Sequence, residues 1–266
     1  LILELSIIAI SLIFLSYASL SDLKNREVPD KVWIAFFPIA IAFTLLRIAL
    51  KEIPLFMALI SIALTFIVSF ILFELNFFGG ADFKALVCIG IAFPSFPAFL
   101  KHFNIFPISF HPFFPIVVLY NAYFISLSTI FHIVIKNLLW ILKNNKRIFE
   151  GFESEPFWKK FIVFITSYKQ ELSILEKKTH LYPIEEIFEA NGKKFKRLKT
   201  FISVEFNKSE FIEKLKSYEK IDSSSQIWVT PGLPMIIFLT ISFVLSVFIG
   251  DALFFAVFML IKTVLK

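Results

Sequence analysis

Residues 54–75 read PLFMALISIALTFIVSFILFEL, and Glu74 is the sole charge in that run. At roughly 1.5 Å of rise per residue, a helix of this length extends about 33 Å, enough to cross a hydrocarbon core of about 30 Å. Working outward, comparable apolar stretches run from Leu1 to Leu20, Val32 to Leu50, Phe83 to Leu100, Pro112 to Ile135 and Leu233 to Ile261. The whole chain of 266 residues is 58% hydrophobic with 37 Phe, and its mean hydropathy is +0.79. Soluble domains are about half apolar, so this composition excludes an ordinary soluble protein. The expected fold is mainly α: a polytopic membrane protein with six transmembrane helices. Its weakest crossing is the fourth, which Lys84 and Pro94 interrupt.

The first apolar stretch has no basic residue before it and no small-residue cleavage site ahead of Asp22, so it reads as a retained helix. The single cysteine, Cys88, excludes internal disulfides and Cys-rich zinc sites. His102, His111, His132 and His180 are scattered without ligand spacing, so neither metal nor cofactor is expected.

Between Lys136 and Gln226 the composition changes. This region carries 18 of the chain's 27 Lys and Arg, against 13 Asp and Glu. It reads as a small soluble α+β domain inserted before the last helix. The organisation expected is 1–136 for transmembrane helices one to five, 137–227 for the soluble domain, and 228–266 for the sixth helix and C-terminal segment. Within the insert, Asn191-Gly192 marks a hairpin and Thr200–Phe206 is β-prone, while Ser209–Lys220 has helical spacing behind an Asn207/Glu210 capping box. Asp222–Ser225 reads as the linker back to the membrane.

Lys24, Arg26 and Lys31 make the short loop after the first helix basic, so the positive-inside tendency puts that loop, and by alternation the 76–82 turn and the soluble domain, in the cytoplasm. The net charge of +6 then reflects topology and attraction to anionic lipid, with the bilayer as partner and nucleic acid excluded.

On this topology Asp22, ending the first crossing, and Asp82, beginning the fourth, fall at the same membrane face. Taken singly, Asp22 reads equally as an interfacial acid opposite Lys24 or Arg26, and Asp82 as a helix cap. Taken together they read as chemistry, because two adjacent carboxylates cannot both ionise cheaply and so share a proton. The ionised member takes a proton from water while the protonated member polarises a carbonyl, which hydrolyses an amide without metal. The glycine turn Gly79-Gly80 before Ala81 and Asp82 allows close approach of a substrate backbone. Glu4 and Asp251 fall near the opposite face, out of reach. Glu74 is about two turns from Asp82, and its plainer reading is a helix-end carboxylate held by headgroups or by Lys84.

The run Gly79-Gly80-Ala81-Asp82, paired with an Asp ending the first helix, resembles the GxGD membrane aspartyl proteases. Within them the chain is similar to the archaeal preflagellin peptidases of the type IV prepilin peptidase group. The resemblance spans essentially the whole chain and includes Ser21-Asp22 with the basic stretch after it, Asp82-Phe83-Lys84, the insert, Ile227–Pro231 and Gly250-Asp251. It implies Asp22 and Asp82 as the catalytic pair. It also implies cleavage of a short basic leader from precursor archaellin or type IV pilin-like proteins at the cytoplasmic face of the cell membrane. Glu27, Asp30 and Glu74 are candidate acceptors for the leader's Lys or Arg. Ala81 departs from the motif's second glycine, and Ala disfavours positive φ, so either that position is not left-handed or the turn has shifted. The competing readings are a presenilin-like intramembrane protease, and a non-enzymatic protein whose acids couple to protons or cations.

Overall fold

The computed structural model describes residues 2–97, 111–145, 147–178, 180–190, 193–200, 211 and 225–264. In chain order the elements are α1 Ile2–Asn25, α2 Asp30–Ala49, α3 Leu55–Glu74, α4 Gly80–Ala92, α5 Phe114–Ser126, α6 Ser128–Asn144, α7 Phe157–Thr166, β1 Tyr168–Glu171, α8 Leu172–Lys177, β2 Leu181–Pro183, β3 Glu185–Ala190, β4 Lys193–Leu198, β5 Gln226–Pro231, α9 Met235–Phe248 and α10 Ala252–Val264. They form two compact units, Leu1–Ser126 with Pro234–Lys266, and Leu127–Leu233.

Prolines set where several helices begin. Pro29, Pro54 and Pro156 precede α2, α3 and α7 with φ between −58° and −64° and extended ψ. The pyrrolidine ring imposes that φ, and the missing N–H costs nothing ahead of a first turn whose donors have no helical partner.

The first unit is a helical membrane body. α1, α2, α3 and the stretch Phe114–Asn144 are each long and apolar enough to cross a bilayer, and α9 with α10 makes a fifth crossing if that bent pair is one span. Four to five spans therefore qualify, against the six expected. The one that falls short is α4, whose 13 residues rise only about 20 Å. What α4 lacks in length it has in burial. Ala85, Leu86, Cys88, Ile89, Gly90, Ile91 and Ala92 are all buried, and the helix packs against α1, α2, α3, α5 and α9. Its neighbours carry the outward apolar side chains instead, among them Ile13, Leu59 and Phe70.

Close helix approach is set by Gly90. A Cβ added there would lie 2.7 Å from Thr65 Cγ2 and 2.9 Å from Thr65 Cβ. Thr65 is itself held, its hydroxyl donating to the Ser61 carbonyl at 2.7 Å. From α2, the Thr44 hydroxyl donates to the Ile91 carbonyl near the end of α4. At the end of α1 remote from Asp22, buried Arg47 donates to Glu4 at 2.9 Å and to Glu52 at 3.3 Å.

α9 and α10 meet at a 69° bend. Gly250 takes the turn with φ +81°. The buried Asn121 of α5 donates to Ser246 Oγ at 3.0 Å and to the Gly250 carbonyl at 3.1 Å, and accepts from Leu253 N–H at 3.1 Å. Asp251 accepts the Phe254 N–H at 2.9 Å and so caps α10. The bend's unpaired backbone groups are thus satisfied inside protein, as an apolar surrounding requires.

In the second unit, β5 lies between β1 and β2, antiparallel to both. The stretch Ile227–Pro231 is thus a central strand as well as the approach to α9. Trp228 is fully buried and stacks on Phe149 with ring centroids 4.9 Å apart. β3 and β4 pair with Ala190 opposite Lys193, which leaves the two residues of the expected Asn191-Gly192 hairpin between them. Asn137 of α6 donates to the Phe164 and Ser167 carbonyls at 2.8 and 2.7 Å, tying α6 to the end of α7. The expected strand beyond Thr200, the Asn207/Glu210 cap, the Ser209–Lys220 helix apart from Phe211, and the linker before Ser225 lie outside the described residues.

Candidate active site

Asp82 is the third residue of α4, and its position follows from the turn before it. Gly79 precedes the helix with φ −77°, and its N–H donates to Asp82 Oδ2 at 2.9 Å. A Cβ at Gly79 would lie 3.3 Å from that same oxygen, whereas one at Gly80 would meet nothing within 4 Å. Gly79 is therefore needed for space around a carboxylate. Positive φ plays no part, since none of Gly79, Gly80 and Ala81 adopts it. Ala81 lies inside α4 in ordinary helical geometry, which an alanine accepts without strain.

A second helix end faces the same carboxylate. The Ile236 N–H, in the first turn of α9, is near enough for its dipole to act on Asp82. Asp82 thus sits at two helix N-termini, where unpaired N–H groups and the helix dipoles favour negative charge. Tyr123 of α5 is near enough to feel the Asp82 charge, and it stacks on Phe78 at 6.2 Å between centroids.

Asp22 lies in the last turn of α1, half-buried. The chain reverses directly after it: Arg26 takes φ 58°, its N–H donates to the Asp22 carbonyl at 2.9 Å, and its guanidinium charge acts on the Asp22 carboxylate. The Ser21 hydroxyl donates to the Glu27 carbonyl at 2.8 Å, which pins the reversal. The Asp22 charge in turn acts on Asp82. Two acids separated by 60 positions in the sequence are thus electrostatically coupled.

The contact that joins the Asp22 helix to α9 was invisible in the sequence. Ser19 Oγ, one turn before Asp22, lies 2.8 Å from Thr240 Oγ1, and Thr240 donates to the Ile236 carbonyl at 2.8 Å. The first turns of α9 therefore touch both partners, through a hydroxyl pair toward α1 and through the Ile236 amide toward Asp82. Ser19 and Thr240 carried no signal beyond being hydroxyls in apolar runs.

The remaining candidates are dispersed. Glu27, Asp30 and Glu74 are all exposed. Asp30 accepts from Lys84 Nζ at 2.5 Å, with the side chains 72% and 41% exposed. Lys84 is thus matched with Asp30, where the sequence offered it, or lipid headgroups, as a partner for Glu74. Glu74 ends α3, and its carbonyl accepts from Asn76 Nδ2 at 3.3 Å.

Residues 9–139 match the family model described as the type IV leader peptidase family, and residues 159–252 match the one described as archaeal peptidase A24 C-terminus type II. The chain belongs to the type IV leader peptidase family. Both acids, the glycine turn and all of α4 fall within the first match. Among relatives of this family member, the preflagellin peptidase of Methanococcus voltae is 25% identical over 247 residues, covering 91% of this chain and 94% of its own. That of Methanococcus maripaludis strain C6 is 27% identical over 238 residues, covering 88% and 90%. That of Methanocaldococcus jannaschii is 26% identical over 238 residues, covering 88% and 89%.

Proposed function

We propose that the chain is a membrane aspartyl endopeptidase that removes the short basic leader of precursor archaellin or a pilin-like subunit. The observation that carries this reading is the coupling of Asp22 to Asp82 around the first turn of α9. Like charges held close share one proton, so at any moment one carboxylate is a base and the other an acid. The base takes a proton from water as its oxygen attacks the scissile carbonyl. The acid polarises the carbonyl oxygen, and the proton held between the two carboxylates goes to the leaving amine as the C–N bond breaks.

In this reading α4 is a sixth, irregular crossing. A helix enclosed by five others has its surroundings supplied by protein, so it need not match the lipid thickness. Counting it keeps the 21–31 loop, the 76–82 turn and the expected soluble region 137–227 on one side, the cytoplasmic side by the basic residues of that loop. The substrate's apolar helix then stays in lipid while its leader meets the acids at the interface. Glu27 and Glu74 remain open to a basic leader, and Asp30 becomes open when Lys84 is displaced.

The test is cleavage of a basic-leader precursor by membranes containing wild type, Asp22→Asn or Asp82→Asn protein. Each single substitution abolishes cleavage while the protein still inserts. Turnover surviving in either variant removes that residue from the pair.

A further inference from the structure

Two helices of the second unit carry apolar faces that its own core does not use. On α7, Phe157 is 82% exposed and Trp158 and Phe161 are each 54% exposed. These three lie within a 100° arc of one helix face, while Lys159 and Val163 on the opposite face are buried. On α6, Leu138, Leu139 and Leu142 are likewise exposed, again on one stripe by their spacing of three and four. α6 and α7 pack together and are tied by Asn137.

What covers this surface follows from where α6 comes from. The helical stretch Phe114–Asn144 is a single candidate span of 31 residues, which rises about 46 Å where the hydrocarbon core needs about 30 Å. The far end of α6 therefore lies at the headgroup level, with its apolar stripe uninterrupted to Leu142. α7, packed beside it, offers two Phe, one Trp and the neighbouring Lys160, the composition of a helix lying in a membrane interface. The region from Lys136 to Gln226 holds 18 Lys and Arg against 13 Asp and Glu, which suits an anionic leaflet.

We propose that α7 is an interfacial anchor whose Phe157, Trp158 and Phe161 face sits at the headgroup–acyl boundary of the bilayer that Phe114–Asn144 enters. This holds the inserted unit against the membrane and does not depend on the identity of the two acids.

The test places a nitroxide on the full chain reconstituted in vesicles of mixed phosphatidylglycerol and phosphatidylcholine. Trp158→Cys and, separately, Phe157→Cys carry the label. Phe131→Cys on α6 is the lipid reference and Glu153→Cys, in the turn before α7, the aqueous one. The buried Cys88 is removed as Cys88→Ala. The expected result is a ratio of oxygen to nickel-chelate accessibility at positions 157 and 158 several-fold above that at 153 and approaching that at 131. A ratio equal to that at 153 overturns the proposal. So does occlusion from both probes, whether with spin–spin broadening from a second copy or without it from another segment of this chain. Using two labelled sites means that failure of one variant to insert still leaves a decisive reading.

Discussion

The Ser19 and Thr240 hydroxyls lie 2.8 Å apart, joining the helix that carries Asp22 to the helix whose first turn faces Asp82. The same seam holds longer contacts as well, from Thr240 Oγ1 to the Leu15 carbonyl at 3.3 Å and from Ser19 Oγ to the Ile236 carbonyl at 3.5 Å. A typical bond contributes about 0.5–1.5 kcal/mol.

Thr240→Val keeps the side-chain shape and removes the hydroxyl. It should lower kcat up to about tenfold, since about 1.4 kcal/mol corresponds to one decade of rate, and leave KM nearly unchanged. Thr240→Ser should restore activity. Steady-state kinetics on a precursor peptide in proteoliposomes checks both, and equal loss from Val and Ser variants would point to packing.

Gly79→Ala places a methyl 3.3 Å from Asp82 Oδ2. The carboxylate must shift, so cleavage should fall by about ten- to a hundredfold, the range by which small misplacements reduce catalysis. Gly80→Ala meets open space and should cost less than about threefold, a helix-propensity gain partly offsetting any effect. The pair of rates separates spatial need from backbone freedom: neither glycine has positive φ, so a loss at Gly80 as large as that at Gly79 would point to a backbone requirement that this geometry lacks.

Gly90→Ala collides with Thr65 at 2.7 and 2.9 Å. Overpacking of this kind costs about 1–3 kcal/mol. Thermal unfolding in detergent should show a lower midpoint, and adding Thr65→Ala should recover part of it by removing the Cγ2 struck at 2.7 Å while the Cβ at 2.9 Å stays. Failure of the double variant to recover would assign the loss to something other than this contact.

Arg47→Ala leaves Glu4 buried with its cationic partner gone. Removing one member of a buried pair costs about 3–5 kcal/mol, so expression and detergent stability should collapse. Arg47→Met with Glu4→Gln, which removes both charges, should be far milder. Comparing the two by size-exclusion yield and unfolding midpoint tests whether loss of the Arg47 guanidinium beside the buried Glu4 charge is the cause.

The amino-acid order alone determined the membrane class and the Asn191-Gly192 hairpin register, because apolar run length and turn chemistry are local quantities. It also pointed to the glycine turn, but that Gly79 leaves room for an oxygen depends on where Asp82 points. Only the packed structure decided that α4 is short and enclosed, that the last helix breaks at Gly250, that Lys84 is matched with Asp30, and that Ser19 meets Thr240. Each of those depends on residues 54 to 221 positions apart or on which helix faces a surface. Spacing along a chain carries no information about such distances until the helices have packed.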